Sequence, residues 1–404
     1  MHSNLIWLII GLIALPAEPA LCQDPDARIA SENATAPESK TLKLVQNFQR
    51  ESLGGVVGLS ISPDGRFLYA SAYQKATLHV FAIDQQNGQL TLVEDLADRG
   101  KLQGATDFHL SPDGKLGVVS AFGSSAVTLF QRDPMSGKLI LLDSMDAKSS
   151  GGKGFKWPIR AAFSLDGKFV YVVDSGKSRS LLSPTIPSVI VLKVVDKRFE
   201  FVESFTTQHG ELADARGIAI HPNGKNLFVT ASNGQSLISL RRNSETGKLD
   251  LVKVIRNERT AVNVLDGAMS VVTDQSGRFL YTLAGRFRGG GAIGVFSFDP
   301  DGSEISFLEG HLSGAPGLEQ FAGGNQLALS PNGLRIYAVG TTSGTLSILD
   351  RDVKTGKLTP IETVAFRPEW KQTAAGVAVS PDSRFVYVSG AEKDPSITVL
   401  EVLL

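Results

Sequence analysis

Short runs in which hydrophobic and polar residues alternate recur along the whole chain, separated by clusters of Gly, Pro, Asp and Asn. Leu59 and Ile61 alternate with polar neighbours ahead of the turn Ser62-Pro63-Asp64-Gly65, and the run RFLYAS follows it. Period-two alternation bounded by turn residues predicts half-buried β-strands. Pro presets the turn backbone, Asp bonds its own main chain, and Gly takes the positive φ that a branched residue resists. A third strand, TLHVFAID, leads to a tight hairpin at Asn87-Gly88, and a fourth begins QLTLVED.

The same unit occurs seven times in all, with turns starting at Ser62, Ser111, Ser164, His221, Asp274, Ser330 and Ser380. The anchors Gly65, Gly114, Gly167, Gly224, Gly277, Gly333 and Ser383 are spaced by 49, 53, 57, 53, 56 and 50 residues. That is a blade-sized period. Hairpins at Ser136-Gly137, Thr246-Gly247, Asp301-Gly302 and Thr355-Gly356 repeat the first. Four residues past the anchor stand Tyr69, Tyr171, Tyr281, Tyr337 and Tyr387, with Val118 and Phe228 in the other units; packing between blades is expected of them. The last unit, SITVLEVLL, ends after its third strand, and Leu42–Val45 has the pattern of the missing fourth. The fold expected is all-β: a seven-bladed β-propeller of four antiparallel strands per blade, closed by the N-terminal strand, over residues 41–404.

With 404 residues, 41 Gly and a net charge of -1, the chain offers no electrostatic case for nucleic acid or an anionic membrane. Leu5–Leu15 is an apolar run suited to a signal-peptide core, with small residues Ala20 and Cys22 ahead of a cut before Gln23. Residues 1–22 are therefore read as a signal peptide and 23–40 as a flexible linker. An uncleaved anchor is the alternative, because no Lys or Arg precedes the run. Cleavage after Cys22, the single cysteine, leaves no disulfide. Lipidation at Cys22 is disfavoured by the bulk of Leu21. Asn33-Ala34-Thr35 is a glycosylation sequon. An exported, periplasmic or extracellular monomer without a membrane span is expected.

Loops on the face opposite the repeated turns are where function is sought. Seven residues before each anchor stand Gly58, Asp107, Arg160, Gly217, Ser270, Gln326 and Gly376, expected to ring the mouth of a central channel. Arg216, Asp174, Arg286 and His209 are expected to lean towards the same mouth. Arg160 and Arg216 could hold a carboxylate or phosphate through forked hydrogen bonds; charges paired across the channel are the bland alternative. Trp157 and Trp370 read as cover over the channel. His109, inside an innermost strand, reads as a satisfied core residue. The six histidines show no metal-ligand spacing, so no cofactor and no metal are expected. Asp299–Glu304 is read as a hairpin rather than a calcium loop, and GRFRGGG lacks the phosphate-loop lysine.

The repeats beginning SPDGRFLYAS and SPNGLRIYAV, with their Gly-x-Leu hairpin exits, resemble the seven-bladed lactonase family, including propeller-type 6-phosphogluconolactonases and carboxymuconate cyclases, over about Thr41 to Leu404. The resemblance implies the fold more firmly than the activity. Where that family often carries Pro-His-Pro-His, Trp157 and Ile159 occupy the histidine positions; its Asp-Leu-Gly resembles Asp174-Ser175-Gly176. Its Gly-Pro-Arg-His is here Ala215-Arg216-Gly217 after Asp214, with the arginine kept and the histidine gone. Its Asn-Glu-Leu falls at Ala231-Ser232-Asn233.

Lactone hydrolysis without a metal requires a base to activate water and a cation for the developing oxyanion. Arg216 and Arg160 suit the second role; His209, Glu211 or Asp107 are the candidates for the first. The expectation is a lactonase-like propeller with its usual catalytic residues largely lost, binding a small anionic or sugar-derived ligand or a protein partner on its loop face. The alternatives are a lactone hydrolase with a rebuilt site, and surface adhesion through the blade sides.

Overall fold

The computed structural model describes residues 39–176, 186–257, 263–285, 290–299, 304–366, 374–390 and 395–403. They form seven four-stranded antiparallel sheets, numbered here β1 to β28 in chain order. Each sheet is a blade. The innermost strands are β2 (Val56–Ile61), β6 (Ala105–Leu110), β10 (Pro158–Phe163), β14 (Ala215–Ile220), β18 (Ala268–Thr273), β22 (Gly324–Leu329) and β26 (Ala374–Val379), in blades one to seven. They pack against one another around the central axis.

The seventh blade closes as the sequence pattern implies. Strand β1 (Leu42–Gln49) pairs antiparallel with β28 (Ser396–Val402), Leu42 opposite Val402. Closure removes the free edges that an open array would expose. Glu362 of blade six holds the start of β1: its carboxylate accepts from Ser39 Oγ at 2.7 Å, Lys40 N at 3.0 Å and Thr41 N at 3.0 Å.

The repeated turn works as its residues predict. In the first copy Asp64 Oδ1 accepts from Arg66 N at 3.2 Å, and Gly65 stands at φ 71°. Ser62 adds a tie across the turn: its Oγ accepts from Phe67 N at 3.0 Å and donates to Asp64 Oδ1 at 2.5 Å. The tyrosines join blades. Tyr69, Tyr171, Tyr281 and Tyr387 donate their hydroxyls to Gly137, Gly247, Gly356 and Gly88 carbonyls of the next blade, at 2.9, 3.1, 2.9 and 3.0 Å. Asp299 N reaches Glu304 O at 3.0 Å, so a hairpin spans Asp299–Glu304; its tip, including Asp301-Gly302, lies outside the described residues.

Candidate functional site

Six of the seven innermost strands break register at one place, between the first and third residue, as in Ala105/Asp107, Pro158/Arg160 and Gly324/Gln326; in β26 the break spans Ala374/Val377. A bulge of this kind leaves a carbonyl and an amide without ladder partners. The preceding blade supplies them. Thr106 Oγ1 donates to Ile159 O at 2.6 Å, and Asn325 Nδ2 to Ala375 O at 2.8 Å. Asp107 Oδ2 accepts from Ala161 N at 3.4 Å, Ser270 Oγ from Leu327 N at 3.3 Å, and Gln326 Oε1 from Val377 N at 3.2 Å. The ring positions therefore tie neighbouring blades together. Glycine fills this position in blades one, four and seven because its own blade and the next both crowd it: a Cβ at Gly58 would stand 2.5 Å from Ser71 Oγ and 2.9 Å from Thr106 O.

Arg160 crosses the channel from blade three to blade five, Nη1 to Met269 O at 3.1 Å. Burial lowers its pKa, opposed by Asp107, while the charge of Arg216 lowers it further. Burial raises the Asp107 pKa, opposed by Arg160 and His109. Asp107, Arg160 and Arg216 thus share one electrostatic neighbourhood. Arg216 is itself engaged: its Nη2 lies 2.8 Å from Asp214 Oδ1, with both side chains buried. Arg216 is thus paired with a carboxylate, whereas Arg160 spends one Nη1–H on a main-chain carbonyl.

Asp174 is committed to the backbone. Its carboxylate accepts from Lys156 N and Trp157 N, both at 2.7 Å, and pins the loop entering blade three. Burial raises its pKa in spite of these bonds. Trp157 packs edge-on against Phe122, centroids 4.5 Å apart. His209 is exposed in the connection before β14, and its amide donates to Glu211 Oε2 at 3.0 Å. Glu211 is buried and pairs with Arg256 at 3.3 Å. Neither joins the channel group. Arg286 and Trp370 lie outside the described residues.

A cavity of about 430 Å³ runs from the ring to the repeated turns, bounded by Asp107, His109, Gln326, Ser60 and the turn prolines Pro63, Pro331 and Pro381. It lies on the turn side of the ring, not on the loop face where the sequence pattern directs attention. His109 is the residue that pattern reading misplaces. It sits two residues from Asp107, so its ring faces the lumen rather than the core, and it is exposed there. Crowding by the channel atoms lowers its pKa, opposed by the charge of Asp107, although the ring itself stays open to solvent. The signal was present in the repeat. Five residues before the anchors stand Ser60, His109, Ala162, Ala219, Val272, Ala328 and Ala378: one imidazole among small residues. Among the described residues no group of three or more His, Cys, Asp or Glu side chains is placed to hold a metal ion.

The family model described as "Lactonase, 7-bladed beta-propeller" matches residues 31–152, 142–265, 255–365 and 318–403. The chain belongs to this lactonase family of seven-bladed propellers. Solved structures share its fold. A protein of Bacteroides uniformis provisionally named a 6-phosphogluconolactonase has a TM-score of 0.62 at 17% identity, covering 76% of this chain and 84% of its own. The periplasmic gluconolactonase of Pseudomonas aeruginosa has a TM-score of 0.60 at 17% identity, covering 76% and 85%. Hydrazine synthase of Kuenenia stuttgartiensis has a TM-score of 0.62 at 17% identity, covering 87% and 97%. At such identities the likeness establishes the propeller alone. A search of curated proteins found no match. Among the described residues of this lactonase-family chain, no helix is long and apolar enough to cross a membrane.

Proposed function

We propose that this lactonase-family propeller binds a small, polyhydroxylated, sugar-derived molecule inside its central channel. One observation carries the reading: the cavity of about 430 Å³ at the axis, walled by Asp107 on one side and Gln326 on another. That volume lies within the usual range for small-molecule sites. Asp107 keeps one oxygen, and Gln326 its amide nitrogen, free of the blade ties described above. A carboxylate accepts from hydroxyls and an amide donates to ring or carbonyl oxygens, which suits a sugar acid derivative. Arg216 is already paired with Asp214, and Asp107 places a carboxylate on the cavity wall, which favours a hydroxylated ligand over a strongly anionic one.

The test is calorimetric titration of the purified protein with glucono-1,5-lactone, gluconate and 6-phosphogluconate, beside Ser60→Phe. Ser60 lines the cavity, and a phenyl ring there narrows it. Binding by the wild type that is lost in a Ser60→Phe protein of unchanged melting temperature supports the reading. Equal affinity in both, or no binding at all, overturns it.

We also propose that the protein works after export, the apolar run Leu5–Leu15 and the small residues before Gln23 being the support. The gluconolactonase of Pseudomonas aeruginosa with the same fold is periplasmic. N-terminal sequencing of protein recovered from cell fractions tests this: a start at Gln23 outside the cytoplasm supports it, and an intact Met1 in the cytoplasm sinks it.

A further inference from the structure

Ten residues before the turn anchors of blades one, two, five and six stand Gly55, Gly104, Gly267 and Gly323, at φ 71°, 68°, 72° and 67°. Their carbonyls accept from Tyr73 N, Phe122 N, Gly285 N and Thr341 N, just past the second strand of each blade, at 2.9, 3.0, 2.9 and 2.9 Å. Blade four makes the same backbone bond with Asp214, whose carbonyl accepts from Ser232 N at 3.0 Å and whose φ is 57°. Aspartate adopts this left-handed conformation at a cost that glycine avoids. Two residues further on, the other blades hold Val57, Thr106, Ile159, Met269, Asn325 and Ala375, all uncharged, where blade four holds Arg216. The architecture thus calls for neither charge. Both stand in blade four, where Arg216 Nη2 lies 2.8 Å from Asp214 Oδ1.

The side chains of Arg216 and Asp214 are 5% and 3% exposed. A pair buried to this degree gives no stability that apolar residues of similar size would not match. Its place beside the channel gives another reason for it. The charge of Arg216 acts on Arg160, which is half-buried in the ring, and lowers the pKa of Arg160. Two guanidinium groups in one neighbourhood attract phosphate or carboxylate. A carboxylate set against one of them opposes that attraction. Among the described residues no acceptor reaches Arg216 Nε, so this guanidinium keeps a donor to spare.

We infer that Asp214 determines the charge of the ligand that the ring accepts: by occupying Arg216 it admits uncharged hydroxyl and carbonyl oxygens and turns away phosphates. The inference rests on the channel reading above only for placing the ligand at the axis. Without the Asp214 carboxylate, Arg160 and Arg216 stand as two cations against the single described carboxylate of Asp107, and an anion becomes the preferred partner. Blade four can lose the pair without losing its backbone. Glycine at position 214 is what four other blades use, and glycine with methionine two residues later is the Gly267 and Met269 of blade five.

The experiment is calorimetric titration with inorganic phosphate at fixed ionic strength. It compares wild type, Asp214→Gly, Asp214→Asn and the double variant Asp214→Gly/Arg216→Met, each checked for a cooperative melting transition. Wild type is also titrated with glucono-1,5-lactone, corrected for spontaneous opening. Both single variants should bind phosphate at least about tenfold more tightly than wild type, the worth of one charge-assisted hydrogen bond. The double variant should lose that gain, which a merely structural ion pair would not produce in the first place. Equal phosphate affinity in wild type and the single variants overturns the inference. So does a gain that persists in the double variant, since Arg216 is then not the cation released. Failure of both single variants to fold makes the pair structural and overturns it as well. If wild type binds the lactone and the variants gain no phosphate, the channel reading stands and the role of Asp214 falls. If the variants gain phosphate and wild type ignores the lactone, the channel reading falls and Asp214 remains the residue that excludes anions.

Discussion

Arg132 donates its Nε–H to the hydroxyl of Tyr69, 2.8 Å away across the junction of blades one and two. Arg242 does the same to Tyr171 at 2.8 Å and Arg351 to Tyr281 at 2.5 Å. Each guanidinium also reaches an aspartate in the turn of the preceding blade: Asp64, Asp166 and Asp274. Each lies over a phenylalanine ring, Phe67, Phe169 and Phe279. The equivalent residues, identified by an amide bonded to the carbonyl after the turn anchor, are Ile83, Val194, Phe298 and Val402 in blades one, three, five and seven. Arginine-bridged junctions therefore stand at 1/2, 3/4 and 5/6; the other four lack the arginine and are joined by other ties, such as Tyr387 to Gly88 O across 7/1 and His221 to Gly277 O across 4/5.

Burial decides how much each charged junction matters. Arg351 and Asp274 are 3% and 5% exposed, whereas Asp64, facing Arg132, is 38% exposed. Removing one partner of a buried pair leaves an uncompensated charge, worth about 3–5 kcal/mol. A solvent-screened pair is worth much less. Arg351→Ala should therefore lower stability by about 3–5 kcal/mol, and Arg132→Ala by clearly less. Urea unfolding of both variants measures the difference; equal losses would remove burial as the explanation.

The hairpin glycines are constrained from two sides. Gly137 stands at φ 73°, and a Cβ there would fall onto the ring of Phe67 in the preceding blade. Gly247 and Phe169, and Gly356 and Phe279, repeat the pair. Gly137→Ala should then destabilise by more than about 1 kcal/mol, the strain of positive φ alone. Gly151→Ala is the control: its φ is 72°, yet open space surrounds it. If the two variants unfold at the same urea concentration, the contact with Phe67 has no weight.

The strand pattern and the turn chemistry were enough for the fold, because each blade repeats a period-two alternation and a turn whose Gly and Asp have no other reason to recur. Ring closure was legible in Leu42–Val45 for the same reason. The site was not. Asp107 and Gln326 stand out in the ring by charge and polarity, but the bulge that makes them ties between blades leaves no mark in one strand's sequence. Asp174 and Arg216 look available until main-chain amides and Asp214 take them up. His109 was hidden by its neighbour Phe108, which is buried; the bulge behind Asp107 sets which side of the strand faces the lumen.

The grip of Glu362 on β1 should fail in acid. Burial alone would raise its pKa, but the hydrogen bonds from Lys40, Thr41 and Ser39 outweigh it and hold the carboxyl below its ordinary 4.5. A folded pKa below the unfolded one adds stability that is complete above about 4.5 and vanishes as pH falls through the folded value. Amide exchange in β1 should accelerate over that interval in the wild type. In Glu362→Gln the protection of β1 should be lower already at neutral pH and change little on acidification. Identical exchange profiles for the two proteins would exclude the latch.

Asp107 should show the reverse slope. Its folded pKa is raised, because burial outweighs the attraction of Arg160 and His109. A carboxyl of this kind contributes most when protonated, below the ordinary 3.8, and that contribution fades as pH rises through the raised folded value. Asn at this position keeps an oxygen for Ala161 N and never ionises. Asp107→Asn should thus gain stability relative to wild type between about pH 3 and about pH 7, while Glu362→Gln loses it over the same range. Urea unfolding of the three proteins at a series of pH values reads both slopes at once. If the difference between Asp107→Asn and wild type does not vary with pH, Asp107 is ionised in the channel at no greater cost than in water. The lumen would then be far wetter than its walls imply.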